Sequence, residues 1–284
     1  MINLLETKFK KYNNFFLYFL LIIFLFLSAS VLAKSQNYCA YNYNAKSILK
    51  NYNVDSYFDL SEEDKITFDD EIKSLPADII IIDTSSINQS NAEIAYNGIS
   101  EVFKNLEMGE RIMLFKLGND GQPISLFNSC YPGCPKQSWS SSFFGSQCIR
   151  GKAKKDRISF KKQFTFHVKS LLKEGLDNAS NTNNLISKIS ILSEDLSNFS
   201  SEDKICIFSN LIENSEYGDF NSKDESVFNK AFVTAILKNQ IPKGYKENIT
   251  FYGVNPSQEV RNFWRDIFSL SKSNPQILSS ICTQ

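Results

Sequence analysis

Three short stretches of the chain gather side-chain oxygens where a strand or helix pattern ends. Asp83-Thr84-Ser85-Ser86-Ile87 follows a run of isoleucines, Asn181-Thr182-Asn183 separates two helical patterns, and Ser209-Asn210 follows a second apolar run. Carboxylate, hydroxyl and amide oxygens on short side chains suit a hard cation such as Mg²⁺, which prefers octahedral oxygen coordination with some retained water. The competing reading of the first stretch is local: Asp83 and Ser85 forming an Asx-type turn and a helix cap. Other chemistries are poorly supplied. His167 is the single histidine, so an HExxH zinc site is impossible and any triad would have to use that residue. His167 falls within a helical pattern with no partner at helical spacing. There is no GxSxG, no phosphate-binding loop and no glycine-rich dinucleotide fingerprint. Cys130 and Cys134 are spaced CxxxC, and no helix start follows to lower a thiol pKa.

The elements that must position these oxygens are legible in the apolar pattern. Residues 79–83, four consecutive β-branched isoleucines closed by Asp83, are of the kind buried on both faces of a parallel sheet and are expected to be its central strand. Ser90-x-x-Glu93 reads as a capping box ahead of a helix carrying Ala95, Ile99, Val102, Phe103 and Leu106. A strand over 111–117, a hairpin at Asn119-Asp120-Gly121 and a strand over 124–127 follow, the last antiparallel and at the edge. Residues 128–156 read as a long loop without regular structure. Helices are expected over 160–176 and from Leu185 to beyond Leu192, then a strand over 205–208, a helix with Phe228, Ala231 and Ala235, and a strand over 248–254. A last helix opens on Asn255 as N-cap, with Pro256 at the first helical position. Strands separated by helices predict an α/β fold: a three-layer α-β-α sandwich with a mostly parallel, doubly wound sheet and one antiparallel edge strand. Ligands of such sheets bind at the carboxyl ends of the strands, where neighbouring connections diverge.

The chain has 284 residues, 42% of them hydrophobic, enough to bury a core and to exclude disorder over its full length. Its 31 basic and 31 acidic side chains give zero net charge, and no nucleic-acid partner is expected. Lys8, Lys10 and Lys11 precede an uncharged run over 15–33 ending in Val31-Leu32-Ala33. This reads as a signal peptide cleaved after Ala33, with an uncleaved signal anchor as the alternative. In both cases the rest of the chain is exported: periplasmic, secreted, or held at the membrane by its N-terminal segment. Residues 34–75 are expected to be an N-terminal extension with one short amphipathic element, and 76–284 a single domain. All six cysteines lie in the exported part. At least one bridge is expected among Cys130, Cys134 and Cys148, a tie between the termini from Cys39 to Cys282, and a free core thiol at Cys206.

The order of elements and the three oxygen-bearing loops resemble the von Willebrand factor type A domain over residues 76–273. That family holds a metal through Asp-x-Ser-x-Ser, a distant Thr and a distant Asp. The resemblance assigns Asp83 and Ser85 to the first motif, Thr182 to the threonine and Asn210 to the second aspartate, with Mg²⁺ as the ion. Position 87 is Ile and position 210 is Asn, so one hydroxyl and one negative charge of the family's pattern are absent. The resemblance implies a non-catalytic module that binds an envelope or extracellular protein. Two alternatives stand beside it: a metal-independent scaffold using the cysteine loop 128–156, and an α/β hydrolase with Asp83 as nucleophile, which position 85, a serine, leaves without its general acid.

Overall fold

The isoleucine run forms the middle of the protein. In a computed structural model, which describes residues 38–41, 45–54, 59–72, 75–134, 148–178, 182–196, 199–222, 224–252 and 256–278, β1 (Ala77–Asp83) pairs in parallel with β2 (Arg111–Leu117) and β4 (Lys204–Phe208). β3 (Pro123–Cys130) lies antiparallel to β2 at one edge, and β7 (Ile249–Tyr252) and β8 (Gln276–Leu278) extend the other side in parallel. The sheet order is β3-β2-β1-β4-β7-β8. A two-stranded hairpin of β5 (Asn214–Ser215) and β6 (Gly218–Asp219) stands apart. The described residues belong to the compact unit Tyr38–Gln284, and the expected export segment 1–33 lies outside them. No helix among them is long and apolar enough to cross a membrane.

Alternation along β1 divides the core. Ile80 and Ile82 pack with α3 (Ala92–Lys104) and α4 (Arg150–Asp177). Ala77, Ile79 and Ile81 pack with α5 (Leu185–Leu196), α6 (Glu225–Leu237) and α7 (Gln258–Ser269). Successive strand side chains point to opposite faces, so a strand that is apolar at every position must be covered twice. The fold is therefore the expected three-layer α/β sandwich with an antiparallel edge strand. β1 leads to α3 on one face and β4 to α6 on the other, so the two connections diverge between adjacent strands. A third cluster of Leu49, Leu60, Phe68 and Ile72 belongs to α1 (Ala45–Asn51), α2 (Glu62–Ile72) and the turn between them.

Several local expectations are corrected. α4 starts at Arg150, ten residues earlier than the apolar pattern shows, because its first turns bury Ala153 and otherwise present polar side chains. β3 runs on to Cys130. At the start of α3 the Ser90–Glu93 box is not used: Asn88 Oδ1 accepts from the backbone N–H groups of Ser90 and Asn91, and Asn91 Oδ1 accepts from Asn88 N–H. α7 is capped by Ser257, whose Oγ accepts from Val260 N–H; Asn255 lies outside the described residues. The strand β8 and the β5–β6 hairpin carry too few residues to register as periodic patterns.

The cysteines pair differently from expectation in two places. Cys134–Cys148 satisfies the bridge expected in the cysteine loop, while Cys39 pairs with Cys130 and so does not tie the termini. Cys206 is disulfide-bonded, not a free thiol; Cys282, the one cysteine left, lies outside the described residues. Chain topology, not spacing, decides which thiols meet. The disulfides indicate an oxidising, extracytoplasmic environment.

Gly175 fixes how α4 meets the end of β1. A Cβ there would stand 2.5 Å from Ile87 Cβ and 2.7 Å from the Thr84 carbonyl oxygen. Neither neighbour is the end of a flexible chain, so Gly175→Ala is expected to cost about 1–3 kcal/mol by overpacking. A urea titration checks this; an unchanged midpoint would mean that the helix stands off the turn.

Candidate functional site

Asp83 is the last residue of β1 and is fully buried. The chain turns there into a short 3₁₀ segment, Thr84–Ser86, for which Asp83 is the N-cap. Its Oδ1 accepts from Ser85 N–H at 3.3 Å and from Ser85 Oγ at 2.6 Å, and its Oδ2 accepts from Ser86 Oγ at 2.5 Å. Ser86 Oγ also lies 3.2 Å from Ser209 Oγ, joining the ends of β1 and β4. This is the Asx-type cap that the residue types allow, extended across the sheet.

A cation does stand among these oxygens, and it is part of the chain. Lys188, on α5, is 5% exposed. Its Nζ lies 2.9 Å from Ser85 Oγ, 3.1 Å from Asn183 Oδ1 and 3.4 Å from Asp83 Oδ1. Ser85 Oγ is also 2.8 Å from Asn183 Oδ1. An ammonium has three N–H donors and no acceptor, and these three oxygens use them all. The β2–β3 turn closes against the same turn of α5: Gly121, at φ +85°, sits where a Cβ would be 2.9 Å from Lys188 Cα. Glycine is required there both by the positive φ and by the close approach.

Asn183 is held in turn. Its N–H donates to the Asn214 carbonyl, the Asn214 N–H donates back, and its Nδ2 donates to the Ile212 carbonyl. Of the four residues carried over for a metal, Asp83 and Ser85 meet. Thr182 is exposed, and its neighbour Asn183 supplies the oxygen. Asn210 Oδ1 accepts from Ile212 N–H, within its own turn. That turn places Leu211 at φ +57°, a conformation that costs a β-carbon residue about 1 kcal/mol or more. Leu211 is held there by burial and by Trp264 Nε1 donating to its carbonyl at 2.8 Å.

These residues do not fit Mg²⁺. The single carboxylate is saturated by hydroxyl, amide N–H and ammonium donors, and a divalent ion would lie against the Lys188 charge. No group of three or more His, Cys, Asp or Glu side chains able to hold a metal occurs among the described residues. Lys188 was the signal to read. It falls in the stripe of Leu185, Ile189, Leu192 and Leu196, so an amphipathic α5 must carry it inward.

One further buried acid lies beside this cluster. Glu213 is fully buried, and its Oε2 accepts from Ile186 N–H in the first turn of α5. Burial pushes its carboxyl up from 4.5 to about 7, against the lowering effect of the Ser215 hydroxyl, the Ile186 and Leu185 N–H groups and the Lys188 charge. At the other end of β1, burial likewise raises Asp78, to about 6. A carboxyl that holds its proton more tightly when folded gives a contribution that is complete below its unfolded pKa and is lost as pH rises through the folded one. Stability is therefore expected to be lower at pH 8 than at pH 5. Glu213→Gln should remove much of that slope, on the order of 2 kcal/mol. Urea titrations of both proteins at the two pH values test this, and parallel slopes would refute it.

No family model matches the chain, and neither a curated protein nor a solved structure shows significant similarity to it.

Proposed function

We propose that the chain is an exported, non-catalytic protein-binding module of von Willebrand A-like fold that works without a metal ion. The strand order and the Asp83-x-Ser85 turn at the divergence of β1 and β4 support the fold resemblance. The observation that carries the metal-independent reading is Lys188 Nζ among the oxygens of Asp83, Ser85 and Asn183. Its three donors are spent inside the protein, so a partner's carboxylate has no open coordination position to complete. The partner is an envelope or extracellular protein, bound through a surface outside the Asp83 turn. A hydrolase with Asp83 as nucleophile is disfavoured: both carboxylate oxygens are engaged and the residue is fully buried, so no substrate reaches it. Export leaves the mature chain periplasmic, secreted or tethered by residues 15–33.

Two measurements test this reading. Melting temperature should be the same in millimolar Mg²⁺, millimolar Mn²⁺ or chelator, since Lys188 already occupies the oxygens of the Asp83 turn; a rise with either metal would overturn metal independence. Crosslinking in intact envelopes should recover the same partner with and without chelator. A partner lost on chelation, or no reproducible partner, would refute the proposal.

A further inference from the structure

We infer that the outer face of α4 is a docking surface for an anionic phospholipid bilayer. The helix carries nine lysines and arginines against three acids in a chain whose net charge is zero, leaving 22 basic and 28 acidic residues elsewhere, so positive charge is segregated onto this element. Two of the acids are engaged away from that face: Asp156 accepts from the Tyr38 hydroxyl, and Glu174 pairs with Lys116 of β2. The third, Asp177, is the last residue of the helix.

Lys155, Ile158, Lys162, Phe166, Lys169 and Lys173 recur at spacings of three and four, and all six are exposed. At 3.6 residues per turn they make one stripe about 27 Å long, opposite the face that buries Phe160, Phe164, Val168 and Leu171. Ile158 is 50% and Phe166 68% exposed within it.

The mixture selects the occupant. Lysines near an anionic membrane surface each contribute about 1 kcal/mol, and apolar side chains between them gain by entering the headgroup boundary. Nucleic-acid phosphates would engage the lysines but leave the exposed aliphatic Ile158 in water. The disulfides indicate an extracytoplasmic setting, which a chain reaches across a bilayer, and the apolar run over 15–33, if retained, would hold it there. Tethered or cleaved, the protein would then lie with α4 along the lipid and with the Asp83 end of the sheet at the tip of the same helix, near Gly175.

The test is flotation of the full chain with phosphatidylcholine vesicles, with and without phosphatidylglycerol, at low and high salt. Residues 1–33 contribute equally to all variants, so differences report the helix. Wild-type protein is expected to prefer the anionic vesicles, less so at high salt. Lys155→Gln/Lys162→Gln/Lys173→Gln should weaken that preference on the order of 10- to 100-fold. Phe166→Ser should weaken binding to anionic vesicles while leaving retention on heparin unchanged. Equal binding to both vesicle types, or a triple variant indistinguishable from wild type, would overturn the proposal. So would a triple variant that loses heparin binding while Phe166→Ser leaves vesicle binding intact, which would mark a general polyanion surface. Circular dichroism of each variant separates these results from misfolding, and Lys155→Arg/Lys162→Arg/Lys173→Arg should restore lipid binding.

Discussion

Lys188→Met is expected to destabilise the protein by about 3–5 kcal/mol, the usual consequence of leaving a buried charge without its partner. Asp83 is fully buried and Lys188 nearly so, and they are 3.4 Å apart, so neither is screened by solvent. Removing the ammonium also leaves Asn183 Oδ1 and Ser85 Oγ with one donor fewer in a dry site. Asp83→Asn alone should cost a similar amount, since it strands the lysine. The double variant Asp83→Asn/Lys188→Met should be less destabilised than the sum of the singles by more than 1 kcal/mol, because the two side chains share one network. Urea denaturation of the four proteins completes the cycle; additive losses would show that Lys188 does not act as the cation of this cluster. Lys188→Ala supplies a second check. If the lysine fills a cation's place, the shortened side chain should make melting temperature respond to added Mg²⁺ or Mn²⁺ where wild type does not.

The second large effect concerns the Cys39–Cys130 bridge, which joins the segment before α1 to the end of the antiparallel edge strand across 91 residues. Closing a loop of that length restricts the unfolded chain by about 4–5 kcal/mol in the chain-entropy account. Cys39→Ala/Cys130→Ala is expected to lose about 4 kcal/mol, measured by urea titration under non-reducing conditions. The Cys134–Cys148 bridge closes only 14 residues, and removing it should cost about 3 kcal/mol or less. Equal losses for the two pairs would contradict this ordering. Release of Cys39 should also increase hydrogen exchange in α1 and α2, whose small cluster of Leu49, Leu60, Phe68 and Ile72 is separate from the two main cores.

What the sequence made legible follows from burial. Four consecutive isoleucines can only be a strand covered on both faces, and β1 is that strand. The apolar registers of α5, α6 and α7 are equally direct, as is the glycine of the β2–β3 turn, whose positive φ the Asn119-Asp120-Gly121 signal anticipates. The start of α4 was hidden because its first two turns bury only Ala153, too little for an apolar period to show. The use of Asn88 in place of Ser90 was hidden because several adjacent residues have side chains of cap type, and only backbone geometry chooses among them.

The candidate site divides in the same way. Asp83 and Ser85 could be chosen from the sequence because they sit two residues apart at a strand end, and a turn of that length brings them together unaided. Asn183, Ser209 and Lys188 lie 98 or more residues away from Ser85, and only the packing of α5 and β4 against β1 brings them near. Residue type and local spacing thus determined the long strands, the apolar faces of the helices and the oxygen-rich turn. The tertiary structure decided which cation the turn holds, and which thiols pair. Those are contacts between residues far apart in the chain, and their energies come from desolvation and mutual distance, which the order of amino acids does not contain until the chain has folded.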